Sequence, residues 1–194
     1  MVSKTKEMSS SLIAPAKRYA PRKQGLLSGR VTLLKRGVCM KKTVTLYTDG
    51  ACSGNPGIGG YGGILIYGDV QKEYSGGEAQ TTNNRMEITA VIVGLKRLKY
   101  PCKVEVYSDS AYTVNAFLEG WIYAWKKAGW KKADGKAVQN IDLWEELYAL
   151  TKTHEVTFHK VAGHADNPLN NRCDELARGA IVELRKTLPV DEEE

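Results

Sequence analysis

The sequence predicts an α/β protein with a mixed five-stranded sheet flanked by helices. Two patterns lead to this prediction. Strand-like alternation of apolar and polar residues occurs three times in succession from residue 43, and helical spacing then alternates with two further strands. The chain has 194 residues, of which 42% are hydrophobic, so it can bury one sizeable core.

The first three strands are predicted to be consecutive antiparallel neighbours. Residues 43–48 alternate, with Val44 and Leu46 on one face. The glycine-rich residues 49–60 are predicted to form a loop. Residues 61–67 and 70–75 are predicted to be two strands, joined by a hairpin turn at Gly68 and Asp69.

The remaining elements alternate between helices and strands. The first helix is predicted to begin near Thr82 and to stop at Pro101, because Glu87, Val91 and Leu95 recur at helical spacing. The other predicted elements are a strand at residues 103–107, helices at 110–119 and 142–152, a strand at 155–161 and a helix at 169–188.

The positive charge of the chain is concentrated in an N-terminal arm. The formal net charge is +6, but residues 1–42 hold eleven Lys and Arg and a single acid, whereas the rest holds 17 bases and 21 acids. Residues 1–42 are therefore predicted to be a basic disordered arm, residues 43–188 the folded domain and residues 189–194 an acidic tail. Three explanations of the arm stay open: a phosphate-attracting tail, an organellar transit peptide, or residues upstream of a true start at Met40.

Composition excludes several classes of protein. The longest apolar stretches are too short to span a membrane, and the N-terminus lacks the apolar core of a secretory signal. Collagen, a wholly disordered chain and a disulfide-stabilised miniprotein are excluded as well. Because Cys39, Cys52, Cys102 and Cys173 show no metal-type pairing, free thiols in a reducing, cytoplasmic compartment are expected. The protein is expected to be a monomer.

Four acids occupy positions that favour a ligand site. Asp49 and Asp109 each end a predicted strand beside Gly or Ser, Glu87 lies in the first turns of a helix, and Asp174 lies in the last helix. Position alone is a weak indication, since the chain has 22 acids and any one of them, taken alone, is more often a solvated surface charge.

The sequence around these acids resembles type 1 ribonuclease H, in the bacterial form that carries a basic protrusion. The resemblance extends from about residue 43 to about residue 184, with the motifs in family order and at family-like spacing. The motifs are YTDGACSGNPG at residues 47–57, TTNNRME at 81–87, YSDS at 107–110, VAGH at 161–164 and RCDELA at 172–177.

The resemblance implies a ribonuclease H-like fold and a metal-dependent endonuclease that cleaves the RNA strand of RNA–DNA hybrids to 5′-phosphate and 3′-hydroxyl products. Asp49, Glu87, Asp109 and Asp174 would hold two Mg²⁺ ions, with Mn²⁺ as an alternative. Phosphodiester hydrolysis must activate a water and stabilise a leaving oxygen, and two ions about 4 Å apart do both. Oxygen-only ligands select such hard ions, and clustered carboxylates repel one another without them.

The resemblance also implies a role for a histidine. His164 lies in a glycine-bearing loop ten residues before Asp174, and in the family this residue assists proton transfer or product departure at the scissile phosphate. Without the surrounding motif, an exposed loop imidazole is the alternative interpretation.

Recognition of the hybrid is assigned by the resemblance to two groups of polar residues. An RNA strand differs from DNA in its 2′-hydroxyls, which small polar side chains can read in the shallow minor groove. The residues that resemble the family's 2′-hydroxyl readers are Asn55, Asn83 and Asn84, with Cys52 and Ser53 alongside. Helix capping is an additional role for Asn83 and Asn84. Thr82 and Asn140 match the positions that grip a DNA-strand phosphate.

The sequence departs from the family pattern at the same surface. Ala111 stands where the family has a Gln that contacts the duplex, so this contact is expected to be missing or made by another group. Gln80 and Gln139 occupy the places where a basic partner of the DNA phosphate is expected.

All four tryptophans lie between residues 121 and 144, and lysines are interleaved with them. The resemblance identifies residues 119–140 as the basic protrusion, with Trp121, Trp125, Lys126 and Lys127 as substrate-binding residues. Aromatic rings beside lysines suit a sugar-phosphate backbone. Trp144, which has leucines on its helical face, is predicted to pack in the core.

Two alternatives accompany this interpretation. The chain could be a catalytically silent module that binds hybrids, or a retroelement-derived domain once fused to a polymerase. The presence of all four acids and His164 favours catalysis over silent binding. The basic protrusion favours a stand-alone enzyme over the polymerase-derived domain.

Overall fold

The computed structural model describes residues 41–163 and 167–188, which form five strands and five helices. The strands are β1 (Thr43–Gly54), β2 (Gly57–Tyr67), β3 (Val70–Thr81), β4 (Lys103–Ser108) and β5 (Glu155–Lys160). The helices are α1 (Asn83–Lys96), α2 (Ala111–Leu118), α3 (Trp121–Lys127), α4 (Ile141–Thr153) and α5 (Pro168–Thr187). Residues 1–40, His164 and the predicted acidic tail lie outside the described residues.

The five strands form one mixed sheet in the order β3-β2-β1-β4-β5. The β1–β2 and β2–β3 pairs are antiparallel, whereas the β1–β4 and β4–β5 pairs are parallel. Parallel neighbours need crossover connections, and α2, α3 and α4 supply the one between β4 and β5. The predicted mixed five-stranded sheet with flanking helices is confirmed.

The main difference from the sequence prediction concerns residues 49–60, for which the predicted loop is wrong. β1 and β2 continue through this segment as an antiparallel hairpin, and the turn between Gly54 and Gly57 contains a cis Asn55–Pro56 peptide bond. β3 likewise continues to Thr81, beyond its predicted end at residue 75. Glycine weakens the strand signal in the sequence, but here the missing side chains allow helices to pack closely on the sheet.

Polar caps begin the helices that border the site. The side chains of Thr82 and Ser110 each accept a backbone N–H from the first turn of α1 and α2 respectively. At the start of α5, Asn167 accepts two backbone N–H groups and Pro168 occupies the first turn. α1 ends at Lys96, earlier than the predicted stop, and α3 forms a separate short helix that the sequence pattern does not predict.

The main core lies between one face of the sheet and helices α1, α2 and α4. Alternate residues of β1 and β4, such as Leu46 and Val106, are buried there together with Trp144 of α4, which is 0% exposed. The predicted core position of Trp144 is therefore confirmed. α5 packs over β1, β2 and β3 on the opposite face. No helix in the described part of the chain is long and apolar enough to cross a membrane.

Candidate active site

The four predicted acids line a single cleft. The parallel β1–β4 ladder ends at Tyr47 and Tyr107, and Asp49 and Asp109 follow two residues later on the neighbouring strands. The two carboxylates therefore project from adjacent strands at the point where the strands separate, which is where open α/β sheets bind ligands.

Close packing of α1 on β1 brings Glu87 to this cleft. Gly50 is buried, and a Cβ atom at this position would collide with the backbone of Met86 and Glu87. Glycine is therefore needed for α1 to approach β1 so closely. The same contact holds Glu87 beside the strand that carries Asp49.

A second close contact brings Asp174 to the cleft. Gly62 of β2 is the cross-strand partner of Asp49, and a Cβ atom on Gly62 would collide with the carbonyl oxygen of Cys173 in α5. The backbone of α5 thus lies directly on the strand next to β1. Because Asp174 follows Cys173, its side chain lies in the same cleft as Asp49.

Neighbouring polar groups orient each carboxylate. Asn83 Nδ2 donates to Glu87 Oε1 at 2.8 Å, and the Ser110 hydroxyl donates to Glu87 Oε2. The other three acids also accept hydrogen bonds: Asp49 from the Gly50 backbone at 2.7 Å, Asp109 from Asn170 at 3.2 Å and Asp174 from Arg178 at 2.8 Å. Such bonds restrict the rotamers of the four acids.

Burial and mutual repulsion perturb the acids. Burial, reinforced by the nearby charge of Asp109, raises the pKa of Asp49 from 3.8 to about 7. Burial also raises the pKa of Glu87, with a further contribution from Asp109, although the hydrogen bonds from Ser110 and Asn83 oppose the shift. The cleft therefore holds more negative charge than its surroundings stabilise, and a bound cation would relieve the repulsion.

The donor chemistry fits divalent metal ions. Four carboxylates offer oxygen ligands only, which suits Mg²⁺ or Mn²⁺. Asn170 is 2% exposed, and its Oδ1 has no hydrogen-bond partner within the described residues, so a water held at the site would satisfy it. Within the described residues, no three Asp, Glu, His or Cys side chains lie close enough together to hold a metal ion as they stand. The acids form an open cluster along the cleft wall.

Most of the predicted RNA-reading residues lie beside the acids. Cys52, Ser53, Asn83 and Asn84 line the same cleft, and so does Ala111 at the first turn of α2. Cys52 is half-buried, and its pKa is raised by burial. Asn55 does not line this cleft, although its side-chain oxygen accepts the Asn83 backbone N–H at 3.3 Å.

The predicted DNA-phosphate residues line a second, smaller pocket. Its lining residues are Asn55, Thr82, Asn84, Gln139 and Asn140. All five are neutral, and Asn84 also lines the first cleft, so the two cavities adjoin at this residue. Of the two glutamines expected near a DNA phosphate, Gln139 lines the pocket and Gln80 does not.

An ion pair connects the starts of α1 and α4 near this pocket. Arg85 makes a bidentate ion pair with Asp142, at 3.1 and 2.7 Å, and approaches Asn140 Oδ1 at 3.5 Å. The guanidinium of Arg85 therefore connects the helix that carries Thr82 with the helix that follows Asn140.

The predicted substrate-binding residues of the protrusion lie on α3, outside both cavities. Trp121 is 37% exposed, whereas Trp125 is half-buried with its ring centroid 5.7 Å from that of Trp144. Lys126 and Lys127 are exposed, and the Lys126 ammonium lies 4.8 Å from the ring centroid of Tyr148. Trp121 and the two lysines thus face solvent, while Trp125 also packs on the core.

Three residues of the site are absent from the sequence prediction. Asn170, Ser110 and Arg178 each hydrogen-bond to one of the four acids. Asn170 lies four residues before Asp174 and Arg178 four residues after it. This spacing places Asn170, Asp174 and Arg178 on one face of α5. This spacing was the signal available in the sequence.

The chain is similar in sequence to known proteins. The family model described as RNase H matches residues 41–182. The ribonuclease H of Chlorobaculum parvum is 63% identical over 144 residues, which cover 74% of this chain and 99% of that protein. The ribonuclease H of Moorella thermoacetica is 60% identical over 145 residues, covering 75% of this chain and 95% of that protein.

Solved structures show the same fold. LC9-RNase H1, a type 1 RNase H with the type 2 active-site motif, matches with a TM-score of 0.67 at 30% identity, over 74% of each chain. LC11-RNase H1, solved in complex with an RNA/DNA hybrid, matches with a TM-score of 0.58 at 24% identity, over 73% of this chain and 99% of that one. Because LC11-RNase H1 is only 24% identical to this chain, its similarity shows a shared fold and nothing more.

Proposed function

Because the chain belongs to the ribonuclease H family, we propose that it is a divalent-metal-dependent endonuclease that cleaves the RNA strand of RNA–DNA hybrids. The observation that carries the proposal is that Asp49 of β1, Glu87 of α1, Asp109 directly after β4 and Asp174 of α5 all line one cleft. A module that only binds hybrids has no need for a half-buried, self-repelling set of carboxylates.

The four carboxylates would hold two Mg²⁺ ions, or Mn²⁺ in their place. When bound, the ions would lower the pKa of the attacking water and stabilise the charge on the leaving oxygen. The protein side chains keep the ligand oxygens in position: Ser110 and Asn83 orient Glu87, and Asn170 orients Asp109. Water attacks the phosphorus, the bond to the 3′-oxygen breaks, and the products carry a 5′-phosphate and a 3′-hydroxyl.

Selectivity for RNA at the cut strand is assigned to the polar residues beside the acids. Ser53, Asn83 and Asn84 present hydroxyl and amide groups that can bond to a 2′-hydroxyl as donor or acceptor. The carboxylates repel the phosphates, and these polar contacts oppose that repulsion whether or not metal ions are bound.

The second strand is assigned to the adjoining pocket. Thr82 and Asn140 offer neutral donors to one phosphate of the DNA strand, and Asn55, Asn84 and Gln139 complete the lining of the pocket, with Gln139 in the place where a basic partner was expected. Trp121, Trp125, Lys126 and Lys127 would contact the backbone further along the duplex.

His164 is proposed to assist proton transfer or product departure, because the VAGH motif at residues 161–164 resembles the family's motif and the preceding residue, Gly163, lies close to the Asp109 carboxylate. One chain supplies all four acids, which supports a monomer as the active form. The described cysteines, Cys52, Cys102 and Cys173, form no disulfides, which is consistent with a reducing compartment such as the cytoplasm.

The proposal is tested by cleavage of one labelled RNA strand presented as RNA–DNA hybrid, as duplex RNA and as single-stranded RNA. Each substrate is incubated with Mg²⁺, with Mn²⁺ and with EDTA. The wild type should cut only the hybrid, and only with metal. Asp49→Asn should cut at least 10³-fold more slowly while it still binds the hybrid. Asp69→Asn is the matched control, because Asp69 is exposed in the β2–β3 turn and should retain wild-type turnover.

Two outcomes would contradict the proposal. Wild-type turnover by Asp49→Asn would refute the metal assignment. Hybrid binding without cleavage in either metal would instead support the silent binding module.

A further inference from the structure

The last turns of α5 bring a basic side chain to the same cleft as the carboxylates. Asp174, Arg178, Val182 and Arg185 all line this cleft and recur at helical spacing along one face of α5. At 1.5 Å per residue, the backbone of Arg185 lies about 16 Å along the helix from that of Asp174. This distance corresponds to a few nucleotides of a bound strand.

Arg185 differs from the other basic residues of α5 in its partner. Arg172 pairs with Glu73 and Glu175, Arg178 with Asp174, and Lys186 with Glu183. Within the described residues, Arg185 has no carboxylate partner. Its Nη2 donates to the hydroxyl of Ser53 at 2.9 Å, and its side chain is otherwise exposed.

This contact leaves the positive charge of Arg185 unneutralised and fixes its direction. Ser53 accepts one of the five guanidinium N–H donors, so the other donors can reach a ligand in the cleft. A guanidinium matches the geometry of a phosphate, and contacts to phosphate set the register of a protein on a duplex. Residues 43–194 hold 21 acids against 17 bases, so an unpaired cation at the cleft has a local electrostatic role.

We infer that Arg185 binds a backbone phosphate of the RNA strand, a few nucleotides from the bond that is cut. The inference rests on the proposed function, because the strand that lies along the carboxylates is the strand that is cleaved. Arg185 lines the cleft of the acids and does not line the pocket assigned to the DNA strand. It is a binding residue and takes no part in the chemical step.

The first test compares Arg185→Ala with Lys186→Ala. Both substitutions remove one positive charge from adjacent positions of α5, but Lys186 is paired with Glu183 and does not line the cleft. Binding of a fluorescent RNA–DNA hybrid is measured by anisotropy in EDTA, where no cleavage is expected, between 50 and 300 mM salt (about the range in which phosphate contacts dominate).

Arg185→Ala should weaken binding roughly fivefold to tenfold at 0.1 M salt and should lower the magnitude of the salt slope by about 0.9. Arg185→Lys should restore most of the slope, since the charge is kept. Lys186→Ala should change affinity less than about twofold. Equal affinities and slopes for Arg185→Ala and the wild type would show that Arg185 only bonds to Ser53, and would overturn the inference.

The second test identifies the strand. Uncharged methylphosphonate linkages are placed singly along the RNA strand or along the DNA strand, and the affinities of wild type and Arg185→Ala are compared as a double-mutant cycle. One RNA-strand linkage should weaken the wild type but leave Arg185→Ala unaffected. Coupling to a DNA-strand linkage, or to none, would overturn the inference.

These tests are independent of the proposed activity. Because binding is measured in EDTA, a protein that binds through Arg185 but cuts no hybrid would refute the nuclease proposal and leave the phosphate contact standing. If instead the wild type cuts the hybrid and Arg185→Ala binds it as tightly as the wild type, the phosphate contact is refuted and the nuclease proposal stands. Melting temperatures of the three variants provide a check that each is folded.

Discussion

The carboxyl group of Asp49 shows how strongly the cleft perturbs an individual residue. Its pKa of about 7 results from burial and from the charge of Asp109. An isolated buried carboxylate is destabilising, so this arrangement lowers the stability of the metal-free protein. Residues held at such a cost are characteristic of functional sites.

The destabilisation predicts an unusual effect of Asp49→Asn. The folded-state pKa lies above the unfolded value of 3.8, so the folded protein binds the proton more tightly, and stability falls as the pH rises from about 4 to about 7. In EDTA at pH 8, Asp49→Asn should therefore increase the free energy of unfolding by on the order of 2 kcal/mol. Urea denaturation at pH 8 and pH 5 measures it, and the gain should shrink at pH 5, where folded Asp49 is largely protonated. A gain of equal size at both pH values would contradict the assigned pKa.

Metal binding should offset the destabilisation that ionised Asp49 causes. A ligand that binds only the folded state stabilises it in proportion to the logarithm of its concentration. Added Mg²⁺ should raise the melting temperature of the wild type at pH 8, and the increase should diminish below pH 7 as protons compete for Asp49. Thermal scans with and without EDTA measure this shift. An equal increase for Asp49→Asn would show that the ion binds elsewhere.

At the scale of elements, two helix–sheet contacts assemble the site. α1 lies on Gly50 and brings Glu87 to the cleft, and α5 lies on Gly62 and brings Asp174 there. Neither contact tolerates a methyl group, because the atoms opposite are backbone atoms that cannot rotate away. The positions of two of the four acids thus depend on the absence of side chains on the opposing strands.

Substitution of Gly50 tests this dependence. Gly50→Ala should destabilise the protein by about 1–3 kcal/mol and reduce cleavage, because α1 has to move away from β1. Gly179→Ala is the matched control: Gly179 lies in α5 with open space at its Cβ position, so alanine should stabilise the helix by roughly 0.5–1 kcal/mol. Urea denaturation and hybrid cleavage are measured for both. Wild-type activity in Gly50→Ala would show that the contact does not position Glu87.

The lysine-rich segment around α3 is the second element with a separable role. Its exposed lysines and Trp121 lie outside both cavities, so they are expected to affect binding more than turnover. The substituted lysines are Lys126, Lys127, Lys131 and Lys132. Their replacement by Ala should lower the magnitude of the salt slope of hybrid binding by about 2 to 4.

A control variant removes four exposed lysines from outside the segment and both cavities. These are Lys72, Lys96, Lys99 and Lys160. The control has the same change in net charge, so anisotropy titrations of the two variants separate a local contact from a general electrostatic effect. A salt slope that changes equally in both would argue against a nucleic-acid contact by the α3 segment.

At the scale of the whole molecule, charge is distributed unevenly along the chain. Residues 1–42 carry a large excess of positive charge, whereas the remainder is acidic overall. The described domain forms its sheet and its core within residues 43–188, and among the described residues none before Asp49 lines the cleft. The arm is therefore expected to add electrostatic attraction without adding to the site.

Deletion of residues 1–39 tests this expectation. The shortened protein should fold with a free energy of unfolding within about 1 kcal/mol of the full chain, because the described residues from Thr43 onward already supply a complete sheet and a buried core. Turnover at saturating hybrid should be unchanged, while affinity at low salt should fall as basic residues are lost. Urea denaturation and steady-state kinetics measure both quantities, and loss of folding would show that the arm is structural.

Much of the site could be predicted from the sequence because its signals are local. The apolar alternation of β1 and β4 identified two strands, and Asp49 and Asp109 lie just beyond the last residues that pair between them; Thr82 and Ser110 were recognisable helix starts. The predicted loop at residues 49–60 was wrong because glycine has the same signature in a loop as in a strand that a helix packs against. A one-dimensional pattern does not distinguish the two.

The sequence by itself determined the order of the five strands and of every helix except α3, and the uneven distribution of charge, since periodicity, capping and composition depend on neighbours along the chain. The four acids were identified by the resemblance of the short motifs around them to those of the ribonuclease H family. Only the tertiary structure decided that β1 and β2 form a continuous hairpin, that Asn170 and Ser110 orient two of the acids, and that Arg185 lines the cleft. These features depend on contacts between residues far apart in sequence, and such contacts arise only when the helices pack on the sheet.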